Sequence, residues 1–170
     1  MKATRDCAIV GIGHTEQGEI ADETVEEIAV RAAVAAIADA GLTKADIDGI
    51  ITCKPPLSPH GTDEGIGPLL GINPAYSTTL DYGMGTFSLH LAAMAIRSGL
   101  ASTILLTYGT KSRSDRTSFS RPIGGSADWI RLAGLVHVAG PASLAMRRHM
   151  HLYGTTEEQL GWVSVSQREW

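Results

Sequence analysis

Basic residues, cysteines and long apolar runs are all scarce in this sequence of 170 residues. It has 14 Lys and Arg against 18 Asp and Glu, and no basic run exceeds the pair Arg147-Arg148, so we expect no nucleic-acid partner. Only two cysteines are present, Cys7 and Cys53, which indicates a reduced, cytoplasmic setting. No apolar stretch approaches the roughly 18 residues that a membrane span needs, and the apolar run near the amino terminus lacks the cleavage site of a signal peptide.

The sequence contains partial motifs for a metal site, a nucleotide-binding loop and a nucleophile elbow, and each lacks a required residue or spacing. His149 and His151 would point about 200° apart on a helix, so they cannot share a metal ion. The stretch VGIGHTEQG has Glu16 where a dinucleotide-binding loop needs its third glycine. The stretch GGSADW has Asp128 where a nucleophile elbow needs its second glycine. We therefore expect no metal site, and we expect no covalently bound cofactor.

The apolar residues indicate an alternation of strands and helices. A hydrophobic content of 44% is enough to form a core, and the length suggests one domain. Strands are predicted at 7–12, 45–53, 75–82 and 102–109. Helices are predicted at 24–42, at about 85–98, from Pro141 onward and from Thr155 or Thr156 onward. This order predicts an α/β fold with a mainly parallel sheet.

Residues at the helix ends set the expected boundaries. Asp22 or Thr24 is the expected cap of the first helix, and Gly41 is its expected stop. The last helix reaches Trp170 without a capping residue or a polar tail, so we expect the chain to be incomplete there.

Three segments have expected positions in this fold. The Pro-rich stretch 54–68 has no periodicity and is predicted to be a surface loop near a site or an interface. The helix at 85–98 is apolar on both sides, so we expect it to be buried between two layers. The polar stretch 110–129 is predicted to run across the surface.

Four stretches, in chain order, carry a resemblance to a known family: AIVGIGHTEQG, AVAAIADAGLTKADIDGIITC, GTFSLHLAAMAIRSGLASTILLTYGTKSR and HVAGPASLAMRRHMHLYGTTEEQL. The sequence resembles the first half of a thiolase-superfamily protein, most like the sterol-carrier-protein type and its lipid-transfer relatives. The resemblance implies that 1–170 is a thiolase-like amino-terminal domain, with a loop region at about 110–154, in one half of a five-layer αβαβα fold. It also implies coenzyme A thioester substrates and a homodimer built partly through the strand at 75–82.

One position departs from the family pattern. The turn before the buried helix usually carries C-x-S-G, with the cysteine as acyl nucleophile, but here it reads Tyr82-Gly83-Met84-Gly85. A phenol titrates near 10 and a helix N-terminus shifts this by at most about 1.5 units, so we expect Tyr82 to stay neutral at pH 7. A neutral phenol can donate a hydrogen bond or a proton, which suits retro-aldol cleavage of a β-hydroxyacyl thioester. Alternatively, Tyr82 only fills the vacated pocket or packs at the dimer interface.

The resemblance also implies residues that contact the substrate. In the family, the loop region commonly covers the pantetheine arm of coenzyme A. The matching candidates for substrate and coenzyme A binding are Arg113, Arg116, Arg121, His137, Ala139 and Gly140. Guanidinium groups suit phosphates, although arginines in a solvated loop are the alternative interpretation.

Three functions are open from the sequence. The first is an aldolase or lyase that acts on acyl-CoA thioesters of lipid or steroid side chains without a cysteine nucleophile. The second is an acyl-CoA acyltransferase, which would need a catalytic cysteine from elsewhere. The third is a non-catalytic subunit that binds acyl-CoA or lipid. A second subunit that completes the site is a possible partner besides the homodimer.

Overall fold

The computed structural model describes residues 7–54, 61–81, 85–115, 132, 134–135 and 139–169. They fall into two compact units, Met1–Thr117 and Ser118–Trp170. The first unit contains the sheet and the second contains helices. The assignment of 1–170 to a single thiolase-like domain stays a prediction. No helix in the described ranges is long and apolar enough to cross a bilayer.

Helices and strands alternate through the first unit, as the sequence predicts. In chain order its elements are α1 (Val25–Asp39), a 3-10 turn (Lys44–Asp46), β1 (Gly49–Cys53), α2 (Asp63–Leu70), β2 (Tyr76–Leu80), α3 (Thr86–Arg97) and β3 (Ile104–Thr107). The second unit contains α4 (Ala139–Tyr153) and α5 (Glu157–Arg168).

The three described strands form a parallel sheet in the order β2-β1-β3. The connection from β1 to β2 and the connection from β2 to β3 run in opposite directions across the sheet. Because parallel crossovers are right-handed, α2 and α3 must lie on opposite faces. The expected α/β fold with a mainly parallel sheet is confirmed.

The main core lies between the sheet and the helices α1 and α2. β1 is the central strand and all five of its residues are buried. Its Ile50 packs with Leu105 of β3 against apolar residues of both helices, which are Ala29, Ala33, Ile37, Ile66 and Leu70. Parallel strands buried on both faces are expected to be continuously apolar, and β1 is so except at Thr52.

Several helix ends confirm the sequence prediction. Thr24 caps α1, with its hydroxyl accepting from the Glu27 N–H at 3.1 Å and the Glu27 carboxylate accepting from the Thr24 N–H at 2.6 Å. Gly41 follows α1 with a positive φ of 66°, which suits a helix stop. Thr156 caps α5 in the same way with Gln159.

The predicted strand at 7–12 is wrong. These residues have no regular secondary structure, and Ile9, Val10 and Ile12 are between 61% and 72% exposed. The Ile12 N–H donates to the Asp39 carboxylate at 2.9 Å rather than to a strand. Among the described strands none pairs with this segment, so its apolar pattern has no ladder to join.

Part of the predicted loop at 54–68 is instead the helix α2. It forms although its sequence contains Gly65, Gly67 and Pro68, which all disfavour helix. Ile66 and Leu70 lie four residues apart and are both 1% exposed in the core. Burial of these two side chains therefore outweighs the local propensity, and residues 55–60 lie outside the described residues.

The expectation that α3 is buried on both sides is also wrong for the described structure. Its small residues Ser88, Ala92 and Ala95 are buried, and the helix packs against β1 and β3. Phe87 and Met94 are 71% and 66% exposed, because only the sheet covers α3 among the described residues.

Two element boundaries also differ from the prediction. β2 ends at Leu80 rather than at residue 82, and α4 already includes residues 139–140 before Pro141.

Asp48 connects the amino ends of all three strands. Its two carboxylate oxygens accept from the Ser102 N–H at 2.9 and 2.8 Å, and one also accepts from the Thr103 N–H at 2.8 Å. Its carbonyl oxygen accepts from the N–H groups of Ala75 and Tyr76. Partial burial alone would raise the pKa of Asp48, but the N–H donors of Thr103 and Ser102 outweigh it and lower that pKa.

We expect Asp48→Ala to lower the free energy of unfolding by about 1.5–3 kcal/mol at pH 7, because it removes a charged acceptor of three hydrogen bonds. The folded-state pKa is lowered, so this contribution is present above the ordinary aspartate pKa of about 3.9 and is lost as the pH falls through the folded value. Denaturant unfolding from pH 7 down to about 3 measures it. Asp115→Ala, at an exposed carboxylate, is the control. A pH-independent difference would contradict the assignment.

Candidate active site at the carboxyl ends of β1 and β2

β1 and β2 are neighbouring strands whose outgoing connections lead to opposite faces of the sheet. In open parallel sheets such a point leaves a crevice beyond the carboxyl ends of the two strands, and ligands bind there. The chain leaves β1 at Lys54 and leaves β2 at Asp81, and Tyr82 follows directly. The topology therefore indicates a site at the carboxyl end of β2. The resemblance to the thiolase superfamily indicates the same position, through Tyr82.

An ion pair spans this crevice between the two strand ends. Lys54 Nζ lies 3.4 Å from Asp81 Oδ1, and the Lys54 N–H donates to the Leu80 carbonyl at 2.9 Å, which extends the ladder by one bond. The two side chains are 40% and 81% exposed, respectively. An exposed pair of this kind contributes only about 0–1 kcal/mol, so a bound anion can displace it at little cost.

Behind the ion pair, a chain of hydroxyl groups connects β1, β2 and α2. Thr52 and Thr79 are register partners, and their hydroxyl oxygens lie 3.0 Å apart. The Asp63 N–H donates to Thr79 Oγ1 at 2.9 Å, and the Thr79 hydroxyl donates to Asp63 Oδ1. Burial alone would raise the pKa of Asp63, but the hydroxyl groups of Ser77 and Thr79 outweigh it and lower that pKa. Asp63 is therefore ionised at neutral pH.

The start of α3 completes the described part of the crevice. Gly85 precedes the helix with φ 91° and ψ −105°. The buried Ser88 accepts from the Gly85 N–H at 3.1 Å and donates to the Gly85 carbonyl at 3.0 Å. The first N–H groups of a helix carry its positive dipole end, so this turn favours negative charge on a neighbouring oxygen.

The structure describes only some of the predicted site residues. Tyr82 lies outside the described residues, as do Arg116, Arg121 and His137. Arg113 is exposed in the first unit. Ala139 and Gly140 begin α4 in the second unit, where the Ala139 carbonyl accepts from the Ser143 hydroxyl. Their contacts with a substrate stay predictions.

Four residues at the crevice were missed by the sequence analysis: Lys54, Asp63, Thr79 and Asp81. Lys54 carries a usable signal, because it directly follows the strand predicted at 45–53 and parallel strands end at one edge. Asp81 lies inside the strand predicted at 75–82, and its position beyond the strand follows only from the observed end of β2 at Leu80. The stretch that contains Asp63 was predicted to be a surface loop near a site or an interface, but nothing in it singled out this residue.

Within the described ranges, no three His, Cys, Asp or Glu side chains lie together so as to hold a metal ion. His149 instead lies 3.0 Å from the Thr155 hydroxyl, and its ring centroid is 4.8 Å from that of Tyr153. Cys53 is buried in β1 and Cys7 is partly buried; both are free thiols.

No protein-family model matches the sequence. The chain is 31% identical over 97% of its length to an acetyl-CoA acetyltransferase of Methanothermobacter thermautotrophicus, of which it covers 45%. It is 32% identical over 95% of its length to a steroid side-chain-cleaving aldolase of Thermomonospora curvata, of which it covers 44%. A 17-hydroxy-3-oxo-4-pregnene-20-carboxyl-CoA lyase of Mycobacterium tuberculosis is 29% identical, over 95% of this chain and 44% of the lyase.

A solved structure shares the fold at a similar level of identity. The Ltp2-ChsH2(DUF35) aldolase matches with a TM-score of 0.72 and 29% identity over 88% of this chain and 39% of that chain. The resemblance of the sequence to the thiolase superfamily is confirmed by these similarities. The chain spans less than half the length of these relatives.

We expect Gly85→Ala to lower the free energy of unfolding by about 1–3 kcal/mol, because a positive φ with negative ψ is open almost only to glycine. A Cβ at this position would meet no atom of the described residues within 4 Å, so the expected cost is backbone strain. Gly65→Ala, inside α2 and with ordinary contacts for a Cβ, is the control and should be neutral or stabilising by up to about 1 kcal/mol. Denaturant unfolding compares them; equal effects would contradict the strained turn.

Proposed function

We propose that this chain is part of a carbon–carbon lyase that cleaves β-hydroxyacyl-CoA thioesters of lipid or steroid side chains by a retro-aldol reaction. The observation that carries the proposal is that Tyr82 stands where the superfamily has its nucleophilic cysteine, in a chain similar to proteins named as aldolases and lyases. The name of the Mycobacterium tuberculosis relative supports a coenzyme A thioester as the substrate.

The chemistry explains why a cysteine is dispensable. In a retro-aldol cleavage the β-hydroxyl group loses its proton, the bond between the α- and β-carbons breaks, and a carbonyl product leaves. The electron pair moves onto the thioester oxygen as an enolate, which then takes up a proton at the α-carbon. The thioester bond stays intact, so the reaction needs no acyl-enzyme and no thiolate.

The crevice has groups suited to that enolate. Negative charge develops on the thioester oxygen, and fixed donors aimed at it lower the barrier. The Tyr82 phenol is the proposed donor, and the positive end of α3 begins three residues after it. Lys54 adds a positive charge at the end of the neighbouring strand, where its pairing with Asp81 is weak.

The coenzyme A moiety is proposed to contact the loop region. The candidates are Arg113, Arg116, Arg121, His137, Ala139 and Gly140. Arginines bind phosphates through paired N–H groups, which supports the assignment of Arg113, Arg116 and Arg121 to the phosphates.

An acyl-CoA acyltransferase is the second candidate, because one relative is named as an acetyl-CoA acetyltransferase. That reaction needs a thiolate at the site. Cys53 is a poor candidate, since it is 4% exposed and its thiol contacts the Lys54 carbonyl at 3.6 Å.

The proposed setting of the protein is the cytoplasm. The free thiols of Cys7 and Cys53 support this proposal.

We expect Tyr82→Phe to lower kcat/KM for a β-hydroxyacyl-CoA by about a hundredfold or more, because it removes the hydroxyl donor and keeps the ring. Release of the carbonyl product measures the rate. Tyr76→Phe, at the amino end of β2, is the matched control and should change little. Unchanged turnover by Tyr82→Phe would contradict the proposed role.

Iodoacetamide separates the remaining functions in the same assay. The lyase should stay active after alkylation, whereas an acyltransferase should stop. A binding subunit should show affinity for the thioester and no turnover, with or without the reagent.

We also propose a homodimer that pairs through the open edge of β2, which is the edge that has no neighbour among the described strands. A second subunit is proposed as a further partner. The name Ltp2-ChsH2 of the solved neighbour supports the second subunit. In β2, Tyr76 donates to Asp48 and Leu80 accepts from Lys54, so even-numbered residues face β1. Ser77 and Thr79 therefore direct their backbone groups to the open edge.

We expect Ser77→Pro to weaken the dimer by about tenfold or more, because proline removes an outward N–H without touching the β1 ladder. Ser77→Ala removes only the side-chain hydroxyl and is the matched control. Light scattering after size-exclusion chromatography, over a range of concentrations, measures the dimer. A proline variant that dimerises like the alanine variant would exclude this edge.

A further inference from the structure

We propose that Asp63 is a positioning residue of the crevice, which acts through the Thr79 hydroxyl on the carboxyl end of β2. The inference rests on the proposed function, because it assigns a role at the same site. It concerns a residue of α2 and not of the strands that line the crevice.

The hydrogen bonds of the Thr79 hydroxyl are fully determined. It accepts from the Asp63 N–H and donates to the Asp63 carboxylate, and Thr52 Oγ1 lies 3.0 Å away. A hydroxyl has one proton and two acceptor positions, and an ionised carboxylate only accepts. The Thr52 hydroxyl must therefore donate to Thr79. The charge on Asp63 thus sets the direction of both hydroxyl hydrogen bonds, from Thr52 to Thr79 and from Thr79 to Asp63.

Both ends of this series of hydrogen bonds, Thr52 and Asp63, lie in elements that the rest of the fold holds in place. Thr52 is fully buried in the central strand, with strands bonded on both sides. At the other end, the Gly61 N–H donates to the Glu26 carboxylate of α1 at 3.0 Å, just before α2 begins. The start of α2, which carries Asp63, is therefore held to α1 independently of β2, so Asp63 can hold Thr79 in place rather than follow it.

Thr79 is the last residue but one of β2, and Asp81 lies two residues beyond it. Within one chain β2 has β1 as its one described neighbour, and the outward backbone groups that it offers to a dimer partner end at Thr79. The end of β2 beyond Thr79 is therefore the part of the crevice most free to fray. A catalytic donor beyond that end must be held within about 0.5 Å. Loss of the Asp63 contact should therefore reduce kcat more than it changes KM.

The test compares pairs of conservative variants in the full chain. Thr79→Val removes the hydroxyl and keeps the shape, whereas Thr79→Ser restores the hydroxyl. Asp63→Ala removes the carboxylate, and Asp63→Asn keeps an acceptor without the charge. Asp46→Ala is the matched control, because Asp46 accepts from the Thr43 hydroxyl at 2.7 Å at the opposite end of β1. Amide hydrogen exchange of residues 79–86 is read together with kcat and KM for a β-hydroxyacyl-CoA.

We expect exchange to accelerate about tenfold or more in Thr79→Val and Asp63→Ala, with kcat falling to a similar degree and KM within about threefold. Thr79→Ser should restore both quantities, and Asp46→Ala should leave both unchanged. If Thr79→Val does not fold, Asp63→Asn gives the same readout with a smaller expected effect. Exchange in Thr79→Val and Asp63→Ala that matches Asp46→Ala would overturn the proposal. A wild-type protein without turnover, assayed together with its second subunit, would overturn the proposed function alone, because the exchange measurement still decides the role of Asp63.

Discussion

The parallel pairing of β1 with both of its neighbours is the constraint on which the rest of the structure depends. β1 is buried along its whole length, and Asp48 ties its amino end to both β2 and β3. This pairing aligns the carboxyl ends of the strands. Because the connections after β1 and β2 go to opposite faces, this strand order leaves room for a ligand beyond the aligned ends. The site is thus a consequence of strand order.

The elements that the sequence predicts well are those in which local and tertiary requirements agree. β1 is a continuous apolar run and is the central strand. α1 has its cap at Thr24 and its stop at Gly41, so its bounds can be found from capping chemistry alone. The candidate site was located from one departure, Tyr82, whereas the residues around it are found only from the strand order.

The failures of sequence reasoning all arise from tertiary context. α2 has a sequence typical of a loop, and it is helical because Ile66 and Leu70 are buried together. Residues 7–12 have the pattern of a buried strand, but a pattern cannot supply a neighbour to pair with. In α3 the small residues face the sheet, while Phe87 and Met94 face outward and stay exposed in the described structure. A helix that is apolar all round indicates two covered faces, and the sequence cannot say what covers each.

The proposed replacement of a thiolate by the neutral phenol of Tyr82 changes what the scaffold must provide. A covalent nucleophile is committed to its substrate once the bond forms, so small errors in its starting position are corrected by bonding. A hydrogen-bond donor has no such correction, since its effect falls steeply with distance and angle. The scaffold must therefore hold the donor by rigidity. In the proposed lyase, that rigidity comes from the hydroxyl chain of Thr79 and Thr52. Its direction is set by the ionised carboxylate of Asp63, and its buried end lies in the central strand.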